Sequence, residues 1–118
     1  VGLRRFVERI TKPVEELDRE RLAEFCEGLG VTPLDRLPQR RPVRFAGEVS
    51  AVRVVPRAGA PALEVTVRDG HGAITLVFLG RDRIGGLTTG RRLVAEGVVT
   101  SHGPDRLVYN PWYRLLPR

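Results

Sequence analysis

The chain has 118 residues, 42% hydrophobic and 29% charged, with twenty basic side chains against fourteen acidic ones and a net charge of +6. That length gives one domain around one core, and the composition excludes a disordered chain. No apolar run approaches the roughly 20 residues that cross a bilayer, and the single cysteine, Cys26, excludes an intrachain disulfide.

The N-terminal stretch VGLRRFVERITK lacks a signal-peptide core, so a cytoplasmic location is expected. From Leu3 to Leu29 apolar residues recur at spacings of three and four (Phe6, Ile10, Val14, Leu17, Leu22, Phe25, Cys26), which predicts an amphipathic helical segment. Pro13 breaks it, with Thr11 capping the second piece and Pro13 in that piece's first turn. Asp18 is expected to interrupt again and cap Arg19 to Glu27, and Gly28 or Gly30 ends the segment. Cys26 beside Phe25 reads as a small core residue rather than a reactive thiol. Residues 31–42 contain three prolines and read as an extended, turn-rich strap. Residues 1–40 are therefore expected to form a helical segment and linker packed on the remainder or plugging one end of it.

Residues 41–118 read as five short strands. The first, Val43 to Val55, alternates through Val43, Phe45, Gly47 and Val49, then slips to Val52 and Val54. That slip predicts a bulge or bend, with Gly47 the tolerant position. The loop 56–61, PRAGAP, follows. Strand two, Ala62 to Arg68, points Leu63, Val65 and Val67 one way. The turn at 69–72 leads to strand three, Ala73 to Leu79, with Ile74, Leu76 and Phe78 inward and Thr75 and Val77 outward. Residues 80–87 fit one helical turn. Strand four is Arg91 to Thr100, the turn 101–105 follows, and strand five runs from Arg106 to about Leu116 with Pro111 interrupting its ladder. The expected fold is mainly β, a five-stranded oligonucleotide/oligosaccharide-binding (OB) barrel over 41–118 preceded by an α-helical segment over 1–40. An SH3-like barrel is the competitor; the long bent first strand and the link after strand three favour the OB order.

Residues 63–80 (LEVTVRDGHGAITLVFLG), 90–94 (GRRLV) and 108–116 (VYNPWYRLL), with 34–52 before them, resemble the OB wedge domain of RecG-type helicases. They resemble still more closely the small stand-alone OB-fold proteins of actinobacteria. The resemblance implies nucleic-acid binding. It departs from the helicases in two respects. The chain has no G-x-x-x-x-G-K-[ST] phosphate-binding loop, so no ATP-driven motor is expected. Nor do the PRAGAP and SHGPD loops carry aromatic residues for stacking on junction bases.

The charge is segregated. Residues 1–40 hold eight basic and eight acidic side chains, whereas residues 41–118 hold twelve arginines against six acids. OB barrels bind strands across the face of strands two and three between the 1–2 and 4–5 loops. Arg53, Arg57, Arg68, Arg81, Arg83 and Arg106 are the candidate phosphate ligands there, converging on one basic surface. Tyr109 and Trp112 are the candidate stacking platforms, whereas Phe78 has core parity. Trp112 and Tyr113 are adjacent and should face opposite sides. His71 and His102 sit in glycine turns and make no metal site, no cofactor is expected, and Ser50, Ser101, Glu48, Glu64 and Glu96 form no catalytic grouping. The expected function is non-enzymatic binding of single-stranded or branched DNA, or RNA. The alternative is a protein-interaction module that docks a partner or a second copy, with outward Val77 and Leu79 as its patch.

Overall fold

The computed structural model describes residues 13–118. Among these residues one helix, α1 (Val14–Glu27), precedes β1 (Pro42–Arg57), β2 (Ala60–Arg68), β3 (Ala73–Leu79), β4 (Arg92–Val98), β5 (Thr100–His102), β6 (Asp105–Tyr109) and β7 (Trp112–Leu115). The first half of the helical pattern, including the Thr11 cap, lies outside the described residues.

Pro13 is the N-cap residue of α1, one position before the first turn, at φ −58° and ψ 147°. Glu15 and Glu16 follow in the first turn, where negative charge suits the helix dipole. The helix does not break at Asp18. Leu22, Phe25 and Cys26 pack on Ala46, Val94 and Leu116 of the sheet, and that burial outweighs the modest preference of Asp for a cap position. Gly28 closes the helix and Gly30, at φ 69°, turns the chain away. Burial pushes the Cys26 thiol up to about 11, helped by the Asp69 carboxylate, so it stays protonated at neutral pH.

The strands form one sheet in the order β5-β6-β3-β2-β1-β4-β7. β1 joins its two halves, pairing with β4 through residues 42–48 and with β2 through residues 48–57. The register shifts between Val49 and Ala51, so the expected bulge exists but sits at Ser50 rather than Gly47. Gly47 serves close packing instead. A Cβ there would lie 2.5 Å from Val67 Cγ1 and 2.6 Å from the Arg68 carbonyl oxygen. β3 pairs with β6 in parallel, as an OB arrangement requires of strands three and five.

Seven strands replace the expected five. Asn110, at φ 47°, and Pro111, which has no N–H to donate, split the last strand into β6 and β7. The supposed turn at 101–105 is itself a hairpin, with β5 pairing to β6. Hydrogen bonding leaves the sheet open, with β5 and β7 at its edges. Its ends still curl together: β4 approaches β6 at Gly97, where a Cβ would lie 2.5 Å from Val108 Cγ1. The PRAGAP loop tightens to a two-residue turn, Ala58 and Gly59, both at positive φ. The 80–87 link contains no helix, only a tight turn in which Leu87 N donates to Ile84 O at 3.3 Å.

Leu63, Val65, Val67, Ile74, Leu76 and Phe78 all face the core with Phe45, Leu93 and Val108. Tyr113 joins them, its ring edge-on to Phe78 at 5.6 Å. Val77 departs from expectation. It has the outward parity, yet it is completely buried with Ala62 and Leu107. The proposed Val77–Leu79 patch is therefore reduced to Leu79.

Candidate functional site

The outer face of β2 and β3 can be built row by row from the register. Arg53, Glu64, Val77 and Tyr109 lie side by side across β1, β2, β3 and β6. Ala51, Thr66, Thr75 and Leu107 form the next row toward the β5–β6 hairpin. Val55, Ala62 and Leu79 form the row toward the β1–β2 tip, where Arg57 stands opposite Ala60. The face is a shallow bed of threonines and small apolar side chains between two hairpins.

Arg57 crosses this bed. Its Nη2 donates to Glu64 Oε2 at 3.0 Å and its Nη1 to the Tyr109 hydroxyl at 3.3 Å. Those residues flank Val77 in the ladder, so the guanidinium roofs Val77 and explains its burial. The same guanidinium lies 5.8 Å from the centre of the Tyr109 ring. Arg53 reaches Glu64 Oε1 from the other side, Nη2 at 3.0 Å. Burial raises the Glu64 carboxyl, but hydrogen bonds from Arg57 and Arg53 more than offset it and hold the group below the usual carboxylate range. Arg57 is in turn raised, chiefly by its bond to Glu64. Two guanidinium groups thus share one carboxylate, leaving a net positive charge with donors fixed in place beside a ring that is 41% exposed.

Arg81 and Arg83 follow directly after β3. Gly80 N donates to Pro61 O at 2.9 Å, so this loop starts beside the β1–β2 tip. Neither arginine has a charged or hydrogen-bonding partner among the described residues. Asn110 tops the same end, its N–H donating to Val77 O and its Oδ1 accepting from Leu79 N.

The remaining candidates are elsewhere. Arg106 donates to the carbonyls of Leu34 and Ala73, tying the linker to the start of β3. Arg68 ends β2 at the far side of the face, in a cleft beside α1. Trp112 pairs with Glu96 on the β1–β4–β7 side, 50% exposed, with the Arg44 guanidinium 5.3 Å over its ring. The arginines therefore do not converge on a single groove. Arg53, Arg57 and Tyr109 come together, Arg81 and Arg83 stand at their end, and Arg68, Arg106 and Trp112 are separate.

Glu64 is the member of this cluster that sequence reasoning missed. The signal was present: a two-residue turn at Ala58-Gly59 sets Arg53 directly opposite Glu64. Asp69, in the turn after β2, is no arginine partner among the described residues but an acceptor of backbone N–H groups. It is buried, and it accepts from the N–H groups of Leu34, His71 and Gly72 at 2.8–2.9 Å. No cluster of three or more His, Cys, Asp or Glu suited to a metal occurs among the described residues. No helix among them is long and apolar enough to cross a membrane.

Comparison with known proteins bears on the fold. The family model described as OB-fold nucleic acid binding domain (tRNA_anti-codon) matches residues 43–110, more than half of the chain. Among solved structures, a structure of RecG bound to a three-way DNA junction is similar in fold, with a TM-score of 0.52 and 18% identity. The match covers 78% of this chain but only 14% of that one. No curated protein matches.

Proposed function

This chain belongs to the OB-fold nucleic acid binding domain family, and from that membership we propose that it binds a single strand across β2 and β3 without catalysing a reaction. Arg53 and Arg57 hold phosphate oxygens, Tyr109 stacks on a base, and Arg81 and Arg83 follow the backbone off the β1–β2 end. The observation that carries this reading is the Arg53–Arg57–Glu64–Tyr109 cluster on the face that OB barrels use for ligands. Glu64 holds both guanidinium groups in place, so little side-chain freedom is lost when a strand arrives. The likeness to RecG, seen bound to a three-way DNA junction, supports a branched or junction-containing DNA as one form of the ligand. We place the activity in this domain itself rather than in an attached motor.

The test is a titration of a fluorescent single-stranded oligonucleotide at several salt concentrations. Four guanidinium groups engaging phosphates give a log–log slope of about −2.8. Double substitution of Arg53 and Arg57 by alanine is expected to reduce that slope by about 1.4. Parental binding that ignores salt, or that survives the double substitution unchanged, would overturn the reading.

A further inference from the structure

A second basic surface lies along the seam between α1 and the sheet, at the Arg68 end of β2, two rows beyond Glu64. Arg19, Arg21, Arg68 and Arg92 line a cleft of about 630 Å³ there. Arg91, Arg92 and Arg118 line a neighbouring one of about 540 Å³. Arg92 lines both, so the two clefts adjoin at its side chain along one seam. Six arginines and two carboxylates, Asp18 and Glu48, line it, and Glu27 borders it through His71, at 2.9 Å. Glu48 is already bonded to Arg92, at 3.1 Å, and Arg19 makes only an exposed pair with Glu16, at 3.7 Å. Arg21, Arg68 and Arg118 have no charged or hydrogen-bonding partner among the described residues.

The seam is also built rather than incidental. Gly70, at φ 89°, lets the β2–β3 turn press against the helix: a Cβ there would lie 2.5 Å from the Arg19 carbonyl oxygen and 2.9 Å from Ala23 Cβ. Phe25 and Cys26 pin the helix from beneath. The seam's floor is thereby fixed while its arginine heads reach solvent.

The chemistry of the two surfaces differs. The β2–β3 face offers an exposed tyrosine ring and suits unstacked bases. The seam's rings are both engaged: Phe25 is capped by the Arg92 guanidinium 4.4 Å over its ring, and the His71 imidazole is held by Glu27 at 2.9 Å. The seam offers guanidinium groups, with the Thr88 and Thr89 hydroxyls beside them, which is the equipment for phosphate oxygens alone. A paired duplex presents phosphates and hides its base faces.

Resting on the single-strand reading of the β2–β3 face, we propose that the α1 seam is a second nucleic-acid site that grips the backbone of a duplex, so that the chain favours a junction between single and double strands. Two linked contacts on one ligand multiply, because the second forms at high effective concentration.

The experiment compares three probes on the full chain: a single strand, a blunt duplex, and a duplex carrying a single-stranded tail. The parent is expected to bind the tailed duplex at least about tenfold more tightly than either simple probe. Combined Arg19→Ala, Arg21→Ala and Arg68→Ala is expected to abolish that advantage and make the duplex salt slope shallower by about 2.7, while single-strand affinity changes less than about twofold. These side chains are exposed, and an unchanged thermal melt of the variant establishes that it is folded. Parental affinity of the variant for the tailed duplex overturns the proposal, as does equal loss on single strand and duplex, which would mean one continuous surface. Failure of the β2–β3 reading looks different: Arg53→Ala with Arg57→Ala then leaves single-strand binding intact, whatever the seam variant does.

Discussion

At the residue scale, Glu64 governs how the β2–β3 face is charged. A carboxylate held below its usual range stabilises the fold above the unfolded carboxyl value of about 4.3. That contribution disappears as pH falls through the lower folded value. Urea melts of the parent should therefore lose stability as pH falls below the unfolded carboxyl value, and Glu64→Gln should flatten that limb. A variant with an unaltered acid limb would show that the carboxylate carries no linkage. The arginines around it were readable as types but not as partners. Arg53 and Arg57 were placed near the first loop by strand parity alone, whereas their sharing of Glu64 depends on a turn two residues long. Arg106 had the same charge and a comparable position in sequence, yet it is consumed by two backbone carbonyls that come from distant segments.

At the element scale, hydrophobic parity carried most of the information. The inward sets of β2 and β3 were legible because alternation has a period of two and one face must be buried. The phase slip in β1 announced a bulge, although only pairing with β2 located it at Ser50. Helix α1 crossed Asp18 because its stripe found a sheet to cover, a gain no local preference includes. The β2–β3 turn is an element held by one side chain. Asp69 satisfies three backbone donors, one of them from Leu34 in the linker. Asp69→Ala should lower unfolding free energy by about 2–4 kcal/mol, measured by urea denaturation, because buried N–H groups lose charge-assisted acceptors. A loss below about 0.5 kcal/mol would show that water replaces the carboxylate without penalty.

At the scale of the whole molecule, what matters is which surface each exposed ring occupies. Tyr109 stands in the row with Arg53 and Glu64, while Trp112 stands beyond β4 with Arg44 and Glu96. Tyr109→Ala should weaken single-strand binding roughly tenfold, as loss of one stacked base does, and Trp112→Ala by less than about twofold. The reverse order in an oligonucleotide titration would move the binding face to the β4–β7 side. The amino-acid order alone determined strands β1 to β4, the inward residues of β2 and β3 and the excess of arginine in the second half, since periodicity and composition are local properties. Only the folded sheet decided that Val77 is roofed, that Arg68 faces the helix and that the positive charge divides between two surfaces. Those outcomes depend on strand order and register, which bring side chains together from parts of the chain that no local pattern connects.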